Sequence, residues 1–127
     1  MDELALERTL RAVECIPAGQ VAAYGDVGRA AGTSARFAAR VLSLYGSTVT
    51  WWRVPNARGE MPPALAVRAL PHWREEGTPL VGTDAGTGAD RSPPRVDMRS
   101  ARVDLPAFAA SVEAALADLP EEDPDAP

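Results

Sequence analysis

The feature that most constrains the fold is a short helix, a glycine and a second helix between residues 26 and 45. In the second helix, 35–45, apolar residues recur at intervals of three and four and so share one face. Gly32 follows the first helix, 26–31, where a left-handed residue ends a helix. Thr33 or Ser34 can then cap the second. The sequence therefore predicts a helix-turn-helix, a moderately specific sign of DNA binding.

The rest of the chain predicts further helices and a small β component. Acidic residues in the first turn favour a helix at 2–14, and Pro106 favours the start of another at 107–118. The other elements predicted are a helix at 65–76 ended by Gly77, a strand at 49–54, an extended segment at 78–81, and a small hairpin or split strand at 96–98 and 102–105. The fold class is mainly α.

Length and composition indicate one domain. We expect a domain at 1–119 with a mobile loop at 83–95, and a disordered acidic tail at 120–127. The chain has neither an apolar run long enough to span a membrane nor a basic leader, so we expect a cytoplasmic protein, nucleoid-associated if bacterial. Separately, we expect a monomer. One cysteine, Cys15, and one histidine, His72, make a metal site implausible, and no cofactor is expected.

The distribution of charge favours a nucleic-acid partner although the net charge is −5. No acidic residue occurs between Asp26 and Glu60, whereas the C-terminal segment is strongly acidic. A surface that faces phosphates needs such a region. Chance clustering on a solvated face is the alternative. The arginines of the acid-free region are Arg29, Arg36, Arg40, Arg53 and Arg58.

Several motifs in one order resemble a known family. They are IPAGQVAAYGDVGRAAG, SARFAARVLSLYG, TWWRVPNARG, REEGTPL and the later RVDL. Together they are similar to the C-terminal domain of the O6-alkylguanine-DNA alkyltransferases. The resemblance implies a winged helix-turn-helix-like domain that binds double-stranded DNA.

The resemblance also implies that this chain does not transfer alkyl groups. The family's acceptor cysteine falls on Trp51, its activating histidine on Trp52 and its glutamate on Glu76. An indole is no substitute for a thiolate nucleophile. Tryptophan at this position is typical of alkyltransferase-like proteins, which bind O6-alkylguanine in DNA without turnover and flag it for nucleotide excision repair proteins.

Five residues are assigned to DNA, three of them by the same resemblance. Arg36 would enter the duplex in place of a flipped base, and Tyr24 would press on the neighbouring phosphate. Ala35 would let the helix approach the groove closely. Arg40 and Arg58 are assigned to phosphates on their charge alone.

The predicted lesion pocket comprises Tyr24, Trp51, Arg53, Val54 and Glu76. Since neighbouring strand residues face opposite sides, Trp52 is assigned to packing. A purely structural role for Trp51 in the core is the alternative. The segment 60–64 is short relative to alkyltransferase-like proteins with a pocket arginine, and no obvious equivalent remains unless Arg68 reaches the pocket.

Two other functions stay open at this point. One is a DNA-binding protein of the same fold without lesion specificity, such as a regulator or architectural protein. The other is an enzyme that uses Glu76 or Asp26 as an acid or base, which the lack of His, Cys or Lys near the candidate site disfavours.

Overall fold

The computed structural model describes residues 2–81 and 93–120. In chain order its elements are α1 (Glu3–Glu14), α2 (Tyr24–Ala31), α3 (Ala35–Tyr45), the 3₁₀ turns Gly46–Thr48 and Trp51–Arg53, α4 (Pro63–Glu76), β1 (Leu80–Val81), β2 (Arg95–Val96), α5 (Met98–Ala101) and α6 (Leu105–Leu116). A mainly helical fold with a small β component is thereby confirmed. The predicted acidic tail, apart from Pro120, and most of the predicted loop at 83–95 lie outside the described residues.

Capping residues explain where the helices begin and end. The Asp2 carboxylate accepts hydrogen bonds from two backbone amides of the first turn of α1. Ser34, rather than Thr33, caps α3 by accepting from the Phe37 amide. Gly32 ends α2 with a φ of 77° and Gly77 ends α4 with a φ of 72°, both in the left-handed region. The helices were predictable because these signals are local.

The predicted strand at 49–54 is wrong. Trp51–Arg53 form a 3₁₀ turn, in which the Val54 amide donates to the Trp51 carbonyl at 3.1 Å. The indole Nε1 of Trp73 in α4 donates to the Trp52 carbonyl at 2.7 Å. That carbonyl is therefore satisfied by a side chain, and the β propensity of the segment is overridden by tertiary contacts.

The segments at 96–98 and 102–105 do not pair with each other as a hairpin. β2 pairs antiparallel with β1 instead, with Leu80 opposite Val96. Residues 98–101 form α5, and Arg102 makes a single parallel bridge to Val21. The strand partners of the two segments, β1 and Val21, lie elsewhere in the chain. Alternation of apolar and polar residues within a segment does not indicate which partner it pairs with.

Two apolar clusters hold the described elements together. The first lies among α1, α2, α3 and α6 and includes Val13, Val27 and Phe108. The second surrounds the fully buried Trp73 and joins α4 to β2 and α5. The 3₁₀ turn Trp51–Arg53 packs on this second cluster, beside the end of α3. Within residues 2–81 and 93–120, no helix has the length and apolar character needed to cross a membrane.

Candidate nucleic-acid interface and aromatic groove

The helix-turn-helix depends on close contact between α2 and the start of α3. Gly28 is buried in α2, and a Cβ built on it would lie 2.4 Å from the Ser34 carbonyl oxygen. Only glycine fits there without a shift of the backbone. On α3, Ala38 and Val41 are buried against the first cluster. The opposite face of α3 is consequently held outward.

This outward face of α3 is basic. Ala35, Arg36 and Arg40 are exposed on it, and Arg58 is exposed in the turn before Gly59. In the part of the chain that the structure describes, none of these three arginines is paired with a carboxylate. Their charge is thus available to an external anion. We call Ala35, Arg36, Arg40 and Arg58 the basic face.

A groove of about 630 Å³ opens beside the C-terminal end of α3. Its volume lies within the ~300–1,000 Å³ of small-molecule sites. Three of the five residues assigned to the lesion pocket line it, namely Tyr24, Trp51 and Val54. The other lining residues are Ala39, Leu42, Ser43, Leu44, Gly46, Ser47, Met61, Pro62, Leu65 and Arg68.

Trp51 is half-buried, with one part on the second cluster and another on the groove. The guanidinium carbon of Arg68 lies 5.6 Å from its ring centre, within the range of a cation–π contact. Arg68 therefore does reach the groove. Tyr24 faces the same space, and burial raises the pKa of its phenol. The hydroxyl accordingly stays protonated and able to donate at neutral pH.

Arg53 and Glu76 do not line the groove, contrary to the sequence-based assignment. Arg53 pairs with Glu76 in a bidentate contact, and its Nη1 donates to the Ile16 carbonyl at 2.8 Å. The Trp52 indole Nε1 also donates to Glu76, at 3.1 Å. We call this set, Trp52, Arg53 and Glu76, the Glu76 node. It fixes the 3₁₀ turn through contacts that are not part of the groove lining.

The ionisation of the two candidate acid–base groups is set by these pairs. Burial acts to raise the pKa of Glu76, but hydrogen bonds from Arg53, Trp52 and the Gly19 amide outweigh it, so the pKa is lowered. The pKa of Asp26 is lowered likewise, since Arg102 and the Ala23 amide outweigh burial. Both carboxylates are ionised and already hydrogen-bonded at neutral pH, and neither lines the groove.

Cys15 and His72 are held in structural contacts and do not line the groove. Cys15 is half-buried at the end of α1, its Sγ donates to the Ser111 carbonyl at 3.7 Å, and burial raises the pKa of the thiol. His72 stacks on Trp52 with ring centres 3.8 Å apart. Among residues 2–81 and 93–120, no cluster of His, Cys, Asp or Glu can hold a metal ion.

Arg68 is the groove residue that the sequence indicated least clearly, although a signal for it exists. Arg68, His72 and Glu76 are four residues apart on α4, so they share one helix face. That face lies against the tryptophan pair: Arg68 on Trp51, and His72 and Glu76 on Trp52. Helical spacing combined with the neighbouring tryptophans would have identified Arg68.

Comparison with known proteins agrees with this geometry. Residues 5–74 match the family model of the 6-O-methylguanine DNA methyltransferase DNA-binding domain. A crystal structure of S. pombe Atl1 in complex with damaged DNA containing O6-carboxymethylguanine superimposes with a TM-score of 0.65 at 25% sequence identity, covering 81% of this chain and 96% of that one. No curated protein matches the sequence. Because the family model spans more than half of its length, the chain belongs to the 6-O-methylguanine DNA methyltransferase DNA-binding domain family, and within that family it is of the alkyltransferase-like type.

Proposed function

We propose that this protein binds DNA containing O6-alkylguanine, flips the modified base into the groove without repairing it, and marks the lesion for nucleotide excision repair. The observation that carries the proposal is the position of Trp51 and Arg68 in a groove at the end of the helix that bears the basic face. A duplex bound to that face has the groove beside it.

The basic face supplies the contacts to the duplex. Arg40 and Arg58 are exposed cations for phosphates, a role that needs no base reading. Arg36, in the first turn of α3, is the side chain that enters the base stack. Tyr24 lies at the start of α2 and lines the groove, so its hydroxyl can contact the phosphate beside a base moving inward.

The groove supplies the contacts to the flipped base. The Trp51 indole offers a stacking surface worth about 1–3 kcal/mol per base. Arg68 brings N–H donors over the same ring, where the acceptor atoms of a purine can meet them. Flipping costs a few kcal/mol and costs less for a damaged pair, which supplies part of the selectivity.

The protein does not transfer the alkyl group, because, among the described residues, no suitable nucleophile lies in the groove. Alkyl transfer needs a thiolate within reach of the alkyl carbon. The single cysteine, Cys15, has a raised pKa and is not among the groove residues. The indole Nε1 of Trp52 occupies the hydrogen-bonding position to Glu76 that the resemblance assigns to the family's histidine, but an indole passes no proton to a substrate.

The structural relative supports the same function. S. pombe Atl1 was crystallised with damaged DNA containing O6-carboxymethylguanine, and the superposition covers nearly all of that chain. Transfer of this role to the present protein is our proposal.

The proposal is tested with two duplexes that differ by a single O6-methylguanine. Tryptophan fluorescence and anisotropy of labelled duplex follow binding. We expect tighter binding to the modified duplex, with quenching caused by stacking on Trp51. Equal affinity for both duplexes would refute lesion recognition and leave a DNA-binding protein without lesion specificity, which the basic face alone supports.

Two variants and a control separate the two halves of the interface. Arg36→Ala is expected to weaken binding to both duplexes, whereas Trp51→Ala is expected mainly to remove the preference for the modified one. Arg74→Ala is the control and should change neither affinity, because Arg74 is exposed in the last turn of α4 and belongs neither to the basic face nor to the groove lining. If Trp51→Ala unfolds the protein, Trp51→Phe keeps the packing, and retention of full preference by that variant would argue against indole stacking.

A further inference from the structure

A second concavity, of about 420 Å³, lies on the other side of the helix-turn-helix, between the start of α1 and the turn that follows α2. Arg8 lines it, and a guanidinium nitrogen of Arg8 is 3.8 Å from the position of a Cβ on Gly32. Within the described residues Arg8 has no carboxylate partner. The one acid in the lining, Asp2, is engaged with the backbone amides of α1. The concavity is therefore an anion-attracting surface with no assigned ligand.

The path of α6 directs the following chain toward this concavity. Cys15 contacts Ser111, whereas Arg11, one turn earlier on α1, contacts Ala115 and Asp118. Positions rise along α6 as they fall along α1, so the two helices are antiparallel. The C-terminal end of α6 therefore lies near the N-terminal half of α1, which carries Arg8.

The segment that follows has the composition and the reach to occupy the concavity. Residues 121–125 contain Glu121, Glu122, Asp123 and Asp125 and no base. Extended chain covers about 3.3–3.6 Å per residue, whereas α1 rises about 1.5 Å per residue. A few extended residues beyond Asp118, which contacts Arg11, are thus long enough to reach Arg8, one turn earlier on α1.

We propose that the acidic segment 121–125 occupies the Arg8 concavity when DNA is absent and competes with the duplex for the helix-turn-helix. In that position its carboxylates would lower the positive potential that phosphates meet at the helix-turn-helix. The regulation rests on the proposed DNA binding, because Ser34 and Phe37 of the concavity flank Ala35 and Arg36 of the basic face in the chain. A duplex that binds tightly displaces the segment, and a duplex that binds weakly does not.

The contact is tested without DNA. A spin label is attached at Ala126→Cys in a Cys15→Ser background, and broadening of backbone amide signals is recorded. The amide signals of residues 32–37 are expected to broaden. The broadening is expected to decrease when Glu121→Gln and Glu122→Gln are introduced, and also when salt is raised, since the Debye screening length falls to about 3 Å at 1 M. Absence of broadening, or broadening unaffected by both changes, overturns the proposal.

The competition is tested with unmodified duplex at low salt. The double variant Glu121→Gln, Glu122→Gln is expected to bind about fivefold more tightly than the unmodified chain, with the difference lost at high salt. The matched control, Glu14→Gln with Glu113→Gln, removes the same charge at exposed positions within α1 and α6 rather than in the tail. An equal gain in the control would mean that net charge alone acts, and the proposal would be wrong.

A double-mutant cycle locates the effect. In an Arg8→Gln background the gain from the two tail substitutions is expected to disappear, because the segment has lost its cation. A gain that persists unchanged overturns the assignment to the Arg8 concavity. Failure of every version to bind duplex would refute the proposed function, while the spin-label result would still decide whether the segment makes its contact.

Discussion

Removal of the Glu76 carboxylate is the perturbation for which the structure gives the sharpest expectation. The carboxylate accepts from Arg53, from the Trp52 indole and from the Gly19 amide, and so ties the 3₁₀ turn to α4 and to the segment after α1. Glu76→Ala leaves all of these donors without their acceptor. The Arg53 guanidinium, which still donates to the Ile16 carbonyl, becomes an uncompensated cation in a mostly buried position.

The magnitude follows from the burial of the pair. The side chains of Arg53 and Glu76 are 16% and 12% exposed. Breaking a buried pair costs about 3–5 kcal/mol, whereas an exposed pair is worth about 0–1 kcal/mol. Because both side chains are mostly buried, the value for a buried pair applies, and we expect Glu76→Ala to lower the free energy of unfolding by about 3 kcal/mol. Glu76→Gln keeps an acceptor oxygen for Trp52 and should lose roughly half of that.

Urea unfolding followed by circular dichroism measures both losses, and an unchanged dependence on denaturant would show that the same surface is exposed on unfolding. Glu75→Ala is the matched control, because Glu75 is exposed on the same helix and should change stability within about 0.5 kcal/mol. A Glu76→Ala variant as stable as this control would refute the reasoning. Since the turn also carries Trp51, loss of the Glu76 node should reduce the preference for modified duplex as well.

Three further predictions concern pH, packing and the thiol. The pKa values of Glu76 and Asp26 are lowered in the folded protein. The two carboxylates therefore stabilise the fold above their ordinary pKa values, and this stabilisation is lost as the pH falls through the lowered, folded-state values. Acid unfolding of Glu76→Gln should accordingly show a smaller pH dependence than that of the unmodified chain. Gly28→Ala should lower the free energy of unfolding by about 1–3 kcal/mol by overpacking, whereas Gly25→Ala, whose Cβ would meet its nearest neighbour at 3.9 Å, should be neutral or stabilising by up to about 1 kcal/mol; equal effects in thermal unfolding would contradict the packing argument. Incubation with an O6-methylguanine duplex should add no methyl mass to the protein, and Cys15→Ala should leave duplex affinity unchanged; a methylated product would overturn the absence of turnover.

The parts of the fold that the sequence predicts are those specified by local interactions. The bounds of α3 are as predicted, because Ser34 and the apolar spacing act within the helix itself. The start of α4 was predicted at residue 65 and lies at Pro63, since proline is compatible with a first helical turn. The pairing of β1 with β2 depends on contacts between distant segments, which no local pattern encodes.

The candidate site divides along the same line, and Arg53 shows why. Position in a motif gives the order of residues along the chain, but not the side to which each one points once the segment turns. A strand at 49–54 would alternate its side chains between two faces. In the 3₁₀ turn that forms instead, successive side chains point about 120° apart, so Trp51, Trp52 and Arg53 take three directions: toward the groove, onto His72, and into the ion pair with Glu76. The groove therefore obtains its cation from the neighbouring helix, in Arg68, while the arginine beside the tryptophans serves to hold the turn in place.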